Sequence, residues 1–178
     1  MEAFQLELRF AAAEGDVTKV LSLLKDQPGL DVNWDGPNQY TALHFAACRG
    51  QGEVVKLLLE QPNIDVNVED KYGDTPIAFG CRIDSLSVVK SLLRDPRVDV
   101  TQSDHNECTP LWWTSFYGNL EVLEWLIASG RDLGDLNKKG KFVRDGEVST
   151  TSLEIVRKQK WPEMVPVLEK FVVNSVQT

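Results

Sequence analysis

The residues of this chain with chemistry to offer are two histidines, three cysteines and one crowded run of aromatic rings. His44 and His105 could act as general bases or metal ligands, but neither has a nucleophile or carboxylate at a spacing that builds a triad or a ligand set. His44 lies in a helix-start motif and His105 at a loop tip. Cys48, Cys81 and Cys108 form no C-x-x-C pair and leave an odd thiol over. That suits a reducing compartment, the cytoplasm or the nucleus, better than a disulfide framework. Cys81 falls in a small-residue slot and is expected in the core, whereas Cys48 and Cys108 are expected as exposed thiols. The glycines are scattered as turn residues rather than gathered into a phosphate loop. No catalytic residue, cofactor or metal is expected. The ring cluster is "TPLWWTSFYG", residues 109 to 118, with two tryptophans, a phenylalanine and a tyrosine in a chain whose aromatic content is 8%.

Composition narrows what those rings are for. A chain of 178 residues that is 42% hydrophobic is long enough to bury a core and is expected as one soluble domain. Its formal net charge is -8, and no basic run tracks a phosphate backbone, which argues against nucleic acid. No stretch approaches the ~18 uninterrupted apolar residues of a membrane span. The expectation is a chain neither exported nor embedded in a membrane, and monomeric alone.

The elements that place the rings repeat. "TALHFAACRG", "TPIAFGCRID" and "TPLWWTSFYG" start at Thr41, Thr75 and Thr109, 34 residues apart, and "LDVN", "IDVN" and "VDVT" start at Leu30, Ile64 and Val98 with the same period. Two landmarks in one register imply stacked supersecondary units. After each threonine come about eight small and apolar residues, a break, and then a segment with one apolar stripe. The stripes are Val54, Val55, Leu57 and Leu58; Val88, Val89, Leu92 and Leu93; and Val122, Leu123, Leu126 and Ile127. Threonine followed by proline starts a helix, because the hydroxyl accepts an orphan amide and proline at the first position has none to lose. Gly50 and Gly118 fall between helices, and the Asp-Val-Asn stretches read as extended strands joined by a turn in which Gly73 takes a positive φ. Each unit is two short helices and a hairpin.

These residues resemble the ankyrin-repeat family: Thr75-Pro76-Ile77, Thr109-Pro110-Leu111, Thr41-Ala42-Leu43-His44, Gly50-Gln51-Gly52-Glu53-Val54-Val55, Gly118-Asn119-Leu120-Glu121-Val122 and the runs at 31–33 and 65–67. No copy carries the whole T-P-L-H tetrapeptide, since the histidine slot holds His44, Ala78 and Trp112 in turn. The resemblance implies an all-α repeat solenoid of about five stacked units in a single domain. These are an N-terminal cap (1–33), repeats at 34–67, 68–101 and 102–137, and an extended hairpin with a C-terminal cap (138–173). Thr151 follows Thr109 by 42 residues, 8 beyond the period, so a longer hairpin turning at Asp145-Gly146 is expected. Pro162 suits the start of the last helix, and Pro166 should distort it.

The resemblance also implies a concave face built from hairpin tips and the outer ends of the first helices, non-catalytic and binding a partner protein or peptide. Its positions here are Pro37, Asn38, Tyr40, Cys48 and Arg49; Lys71, Tyr72, Asp74, Arg82 and Ile83; and His105, Asn106, Cys108, Phe116 and Tyr117. Trp113 matches Phe45 and Phe79 and is expected in the core, while Trp112 is open between shielding the turn and leaning into the groove. Phe116 and Tyr117 are expected as exposed anchors; the competing reading has them cover the longer hairpin against Phe142 or Val143. The acids at the tips, Glu69, Asp70, Asp74, Asp104 and Glu107, read as solvated turn residues that together favour a basic partner. Two further readings are a small inhibitor of a kinase or other enzyme, and the N-terminal recognition arm of a larger scaffold or enzyme.

Overall fold

A computed structural model describes residues 2–36, 39–141 and 150–175. Among them ten helices run in pairs: α1 (Glu2–Glu14) with α2 (Val17–Asp26), α3 (Ala42–Cys48) with α4 (Gly52–Leu59), α5 (Pro76–Arg82) with α6 (Leu86–Leu93), α7 (Pro110–Tyr117) with α8 (Leu120–Ala128), and α9 (Ser152–Lys158) with α10 (Met164–Ser175). The first helices of successive pairs pack on one another, and so do the second helices, which gives two layers with a continuous core between them. The apolar stripe of each second helix supplies that core: Val54, Val55 and Leu58, Val88, Val89 and Leu92, and Val122, Leu123 and Leu126 are all buried. No single helix of seven or eight residues is stable alone in water, so packing rather than helix propensity holds each one.

Threonine opens the first helices as expected, with one exception. Thr41, Thr109 and Thr151 accept the amide of the residue three positions on. Thr75 makes no such bond, and its hydroxyl is buried without a partner among the described residues. Pro76 stands there at the first helical position, where its missing N–H costs nothing. The helix-to-helix turns use left-handed residues at Gly50 (φ 74) and Gly118 (φ 77), and Asp84 holds the equivalent place in the middle pair at φ 58.

The extended strands expected at the Asp-Val-Asn runs are absent among the described residues, which contain one isolated bridge, Gly140 with Thr150. The reason is local competition for the amides. Asp31, Asp65 and Asp99 each accept the backbone N–H two residues on, from Asn33, Asn67 and Thr101 at 3.0, 3.0 and 2.8 Å. The asparagines then bridge units instead of pairing strands. Asn33 donates to the Asn63 carbonyl and accepts from the Asp65 amide, while Asn67 does the same with Arg97 and Asp99. Pro166 also departs from expectation, since it lies in the first turn of α10, whose amides have no helical partner to lose. The Asp145-Gly146 turn, with Phe142 and Val143, lies outside the described residues.

Candidate functional site

The two middle loop tips are each tied by one buried aspartate. The Asp70 carboxylate accepts the amides of Tyr72 and Asp74, both at 2.8 Å, and the Asp104 carboxylate accepts those of Asn106 and Cys108 at 2.8 and 2.9 Å. Gly73 completes the first turn at φ 79, as expected, and Glu107 completes the second at φ 60. Single backbone bonds then join neighbouring tips, from His105 N–H to Tyr72 O at 2.9 Å and from Lys141 N–H to Asn106 O at 2.6 Å. Lys71, Tyr72, His105 and Asn106 are all exposed on these tips, with the Lys71 ammonium 4.8 Å from the Tyr72 ring centre.

Below the tips runs a ladder of rings and guanidinium groups. Arg9 lies between the rings of Trp34 and Phe45 at 5.0 and 4.9 Å. Tyr40 touches His44, Phe45 and Phe79, with centroids 5.4, 5.6 and 5.6 Å apart. Arg82 then covers Trp113 at 4.1 Å and approaches Phe79 at 5.7 Å, and Tyr117 stacks on Trp113 at 5.9 Å. Contacts of cation with ring face are favourable even where the ring is otherwise apolar.

The histidine slot follows a logic that the bare motif conceals. His44 Nδ1 accepts the Thr41 amide, so its Nε2 carries the proton and donates to the Asp74 carbonyl at 3.1 Å. Trp112, in the same slot, donates its Nε1–H to the Thr150 carbonyl at 2.7 Å. Both acceptors immediately precede the next unit's threonine, Thr75 or Thr151. Ala78 has no such donor and packs in one cluster with Cys108. Arg9, 35 residues before His44, takes the slot in the first pair. A ring N–H recurs at this slot in two of the pairs, so the change from histidine to tryptophan keeps the hydrogen bond and only Ala78 loses it.

Several expected positions are corrected by this packing. Phe116 is 6% exposed, not a surface anchor: it stacks on Trp112 at 5.1 Å and shares a cluster with Ile155 of α9. Trp112 is likewise buried, as are Asp74 and Cys108, so that Cys108 is not an exposed thiol. The tip acids are not all solvated, since Asp70, Asp74 and Asp104 are buried while Glu69 is exposed. Trp113 and Cys81 are in the core, as read from their slots. Tyr72, Ile83 and Tyr117 are 55%, 44% and 42% exposed, Arg49 is exposed, and Tyr40, Arg82 and Cys48 are half-buried. Pro37 and Asn38 lie outside the described residues.

Burial shapes the electrostatics of this face. It pushes the Asp74 carboxyl up to about 6, against the pull of Arg82, whose guanidinium lies 2.5 Å away. Burial opposes the Arg82 charge too, but Asp74 and Tyr117 hold its pKa above the ordinary value. The Tyr40 hydroxyl is raised by burial and by the neighbouring Asp70 carboxylate, and His44 is lowered, chiefly by burial. Burial raises the thiols of Cys48 and Cys81, the latter to about 12, which disfavours the reactive thiolate. Among the described residues no group of three or more His, Cys, Asp or Glu side chains is arranged to hold a metal ion, and no helix is long and apolar enough to cross a membrane.

Residues 8–104 and 65–138 match the family model for ankyrin repeats, in three copies. No curated protein matches the chain.

Proposed function

Because the chain belongs to the ankyrin-repeat family, whose repeats generally mediate contacts between proteins, we propose that it binds a partner protein or peptide, without catalysis, along the face formed by its loop tips and first helices. The observation that carries this reading is the row of exposed Tyr72, Ile83 and Tyr117, flanked by Arg49, Lys71, His105 and Asn106. Large side chains exposed beside firmly held loop tips are the usual material of recognition, and tyrosine and arginine are enriched among the residues that dominate binding energy. The tips beneath them are held by aspartate-centred turns, so little ordering entropy is lost when a partner docks. Arg82, Asp74 and Tyr40 support this face from below, and Trp112 and Phe116 act through the packing of α7. In this reading the chain is one domain with caps at 1–33 and 138–173, acting in the cytoplasm or nucleus as a monomer, with neither nucleic acid nor membrane as partner.

The test is capture from lysate by wild type beside a Tyr72→Ser, Ile83→Ser double variant. Both side chains are exposed, so stability should change by no more than ~0.5 kcal/mol each. A protein retained by wild type and lost by the folded variant supports the face; equal retention places binding elsewhere.

A further inference from the structure

Asp74 ties the α3 unit to its own tip and helix α5 through polar contacts. Its carbonyl accepts from His44 of α3, its amide donates to Asp70 within the tip, and its carboxylate takes the Arg82 guanidinium of α5 at 2.5 Å. The second carboxylate oxygen, Oδ1, is buried and receives no hydrogen bond from the described residues. The side chain is only 7% exposed. Two further carboxylates, Asp70 of the same tip and Asp104 of the next, act on it with like charge, and its own charge reaches the Tyr40 hydroxyl. The Arg82 guanidinium is the cation paired with Asp74, and it also covers Trp113, with the Tyr117 hydroxyl of α7 close enough to favour its charge. His105 lies on the neighbouring tip with its ring against Gly73.

A carboxylate in this position is held ionised by one partner against burial, two like charges and an unsatisfied oxygen. A proton on Oδ1 relieves all three costs and removes the attraction that fixes Arg82. We propose that Asp74 is a proton-operated latch on Arg82: ionised, it clamps the guanidinium between the tip and the Trp113–Tyr117 pair; protonated, it releases that guanidinium to the exposed face. The direction of the Asp74 shift, upward to about 6 and dominated by burial, supports a change in mildly acidic solution. Released, Arg82 adds one uncompensated positive charge beside Tyr117, which alters what the face attracts. This consequence rests on the binding role proposed above, whereas the latch itself needs no partner.

The experiment uses the full chain labelled with 5-fluorotryptophan, followed by fluorine NMR from about pH 5 to pH 7.5, the range that brackets the shifted group. Trp113 is assigned with a Trp113→Phe variant. Wild type is expected to show a Trp113 transition with its midpoint near pH 6. In Asp74→Asn, which is neutral at every pH, the transition should vanish and the signal stay at the acid-side position; in His105→Gln it should persist. The same transition in Asp74→Asn, its loss in His105→Gln, or no transition in wild type overturns the latch. Carbon-13 titration of the wild-type Asp74 carboxyl reads the same proton without any variant, and a midpoint near the ordinary carboxylate value of about 4 also overturns it. With the latch established, partner capture that is the same at both ends of the pH range would count against the binding face and leave the latch standing.

Discussion

The junction served by His44 and the junction served by Trp112 solve one problem with different side chains. Each places a ring N–H on the backbone carbonyl just before the next unit's first helix, Asp74 O at 3.1 Å or Thr150 O at 2.7 Å. The partners are 30 residues apart in the first case and 38 in the second. The eight additional residues therefore leave the anchoring contact intact, with Gly140 and Thr150 paired where the connection leaves and returns. Between these two lies Ala78, which anchors nothing by hydrogen bond and fills space only. The lesson is that this slot specifies a donor to a fixed acceptor, and that packing substitutes where no donor exists. Both rings also pack on two others: His44 on Tyr40 and Phe79 at 5.4 and 5.9 Å, and Trp112 more closely on Phe116 and Trp113 at 5.1 Å each.

The comparison breaks most sharply at Trp112. Trp112→Ala removes the bond and the stack together and should cost about 3–5 kcal/mol in urea unfolding. Trp112→Phe keeps most of the packing and should cost about 1 kcal/mol, the lost indole hydrogen bond to the Thr150 carbonyl, which still accepts the Gly140 amide. Equal costs for the two would mean that the bond, not the ring, holds this junction.

His44→Ala recreates the Ala78 arrangement at the first junction and should cost about 2 kcal/mol near neutral pH. It should also change the pH profile. Native His44 resists protonation relative to an unfolded imidazole at 6.5, so the unfolded chain binds more protons on the acid side. Its stabilising contribution is thus complete above 6.5 and drains as the pH falls below it. Asp74 works in the opposite sense: its raised carboxyl pKa makes its contribution grow as pH falls from about 6 toward 3.8. The difference between wild type and His44→Ala isolates the histidine, and it should shrink as the solution is acidified. A difference that is constant from neutral to mildly acidic pH would refute the buried neutral imidazole.

The smallest effect concerns the two tips. Gly73 and Glu107 occupy equivalent left-handed positions, but only glycine does so without a Cβ penalty. Glu107→Gly should stabilise the chain by about 1 kcal/mol, because the pair that Glu107 makes with Lys141 is exposed and contributes little. A loss of stability instead would assign that ion pair a structural role.

Much of the architecture was legible because its signals are local. Threonine with proline, left-handed glycine and an apolar stripe act within a few residues, and their recurrence every 34 residues revealed the paired helices. Thr75 shows the boundary of that reading, since its motif is intact and its cap bond is absent. The Asp-Val-Asn runs were visible but misread: a strand pattern and an aspartate turn share the same three residues, and the outcome depends on whether a neighbouring unit offers a carbonyl to Asn33 and Asn67. Phe116 was placed on the wrong face for a similar reason. On a helix of eight residues with apolar side chains almost all round, the periodicity is too weak to choose a buried side.

What residue order decided here is the kind of unit, its length and the positions of its turns, since backbone conformation answers to the nearest few side chains. What tertiary packing decided is which side chains are available to a partner. Tyr117 is open and its neighbour Phe116 closed because α9 arrives with Ile155 beside one ring and not the other. Exposure is a property of what lies across from a residue, and that neighbour stands far away in the chain.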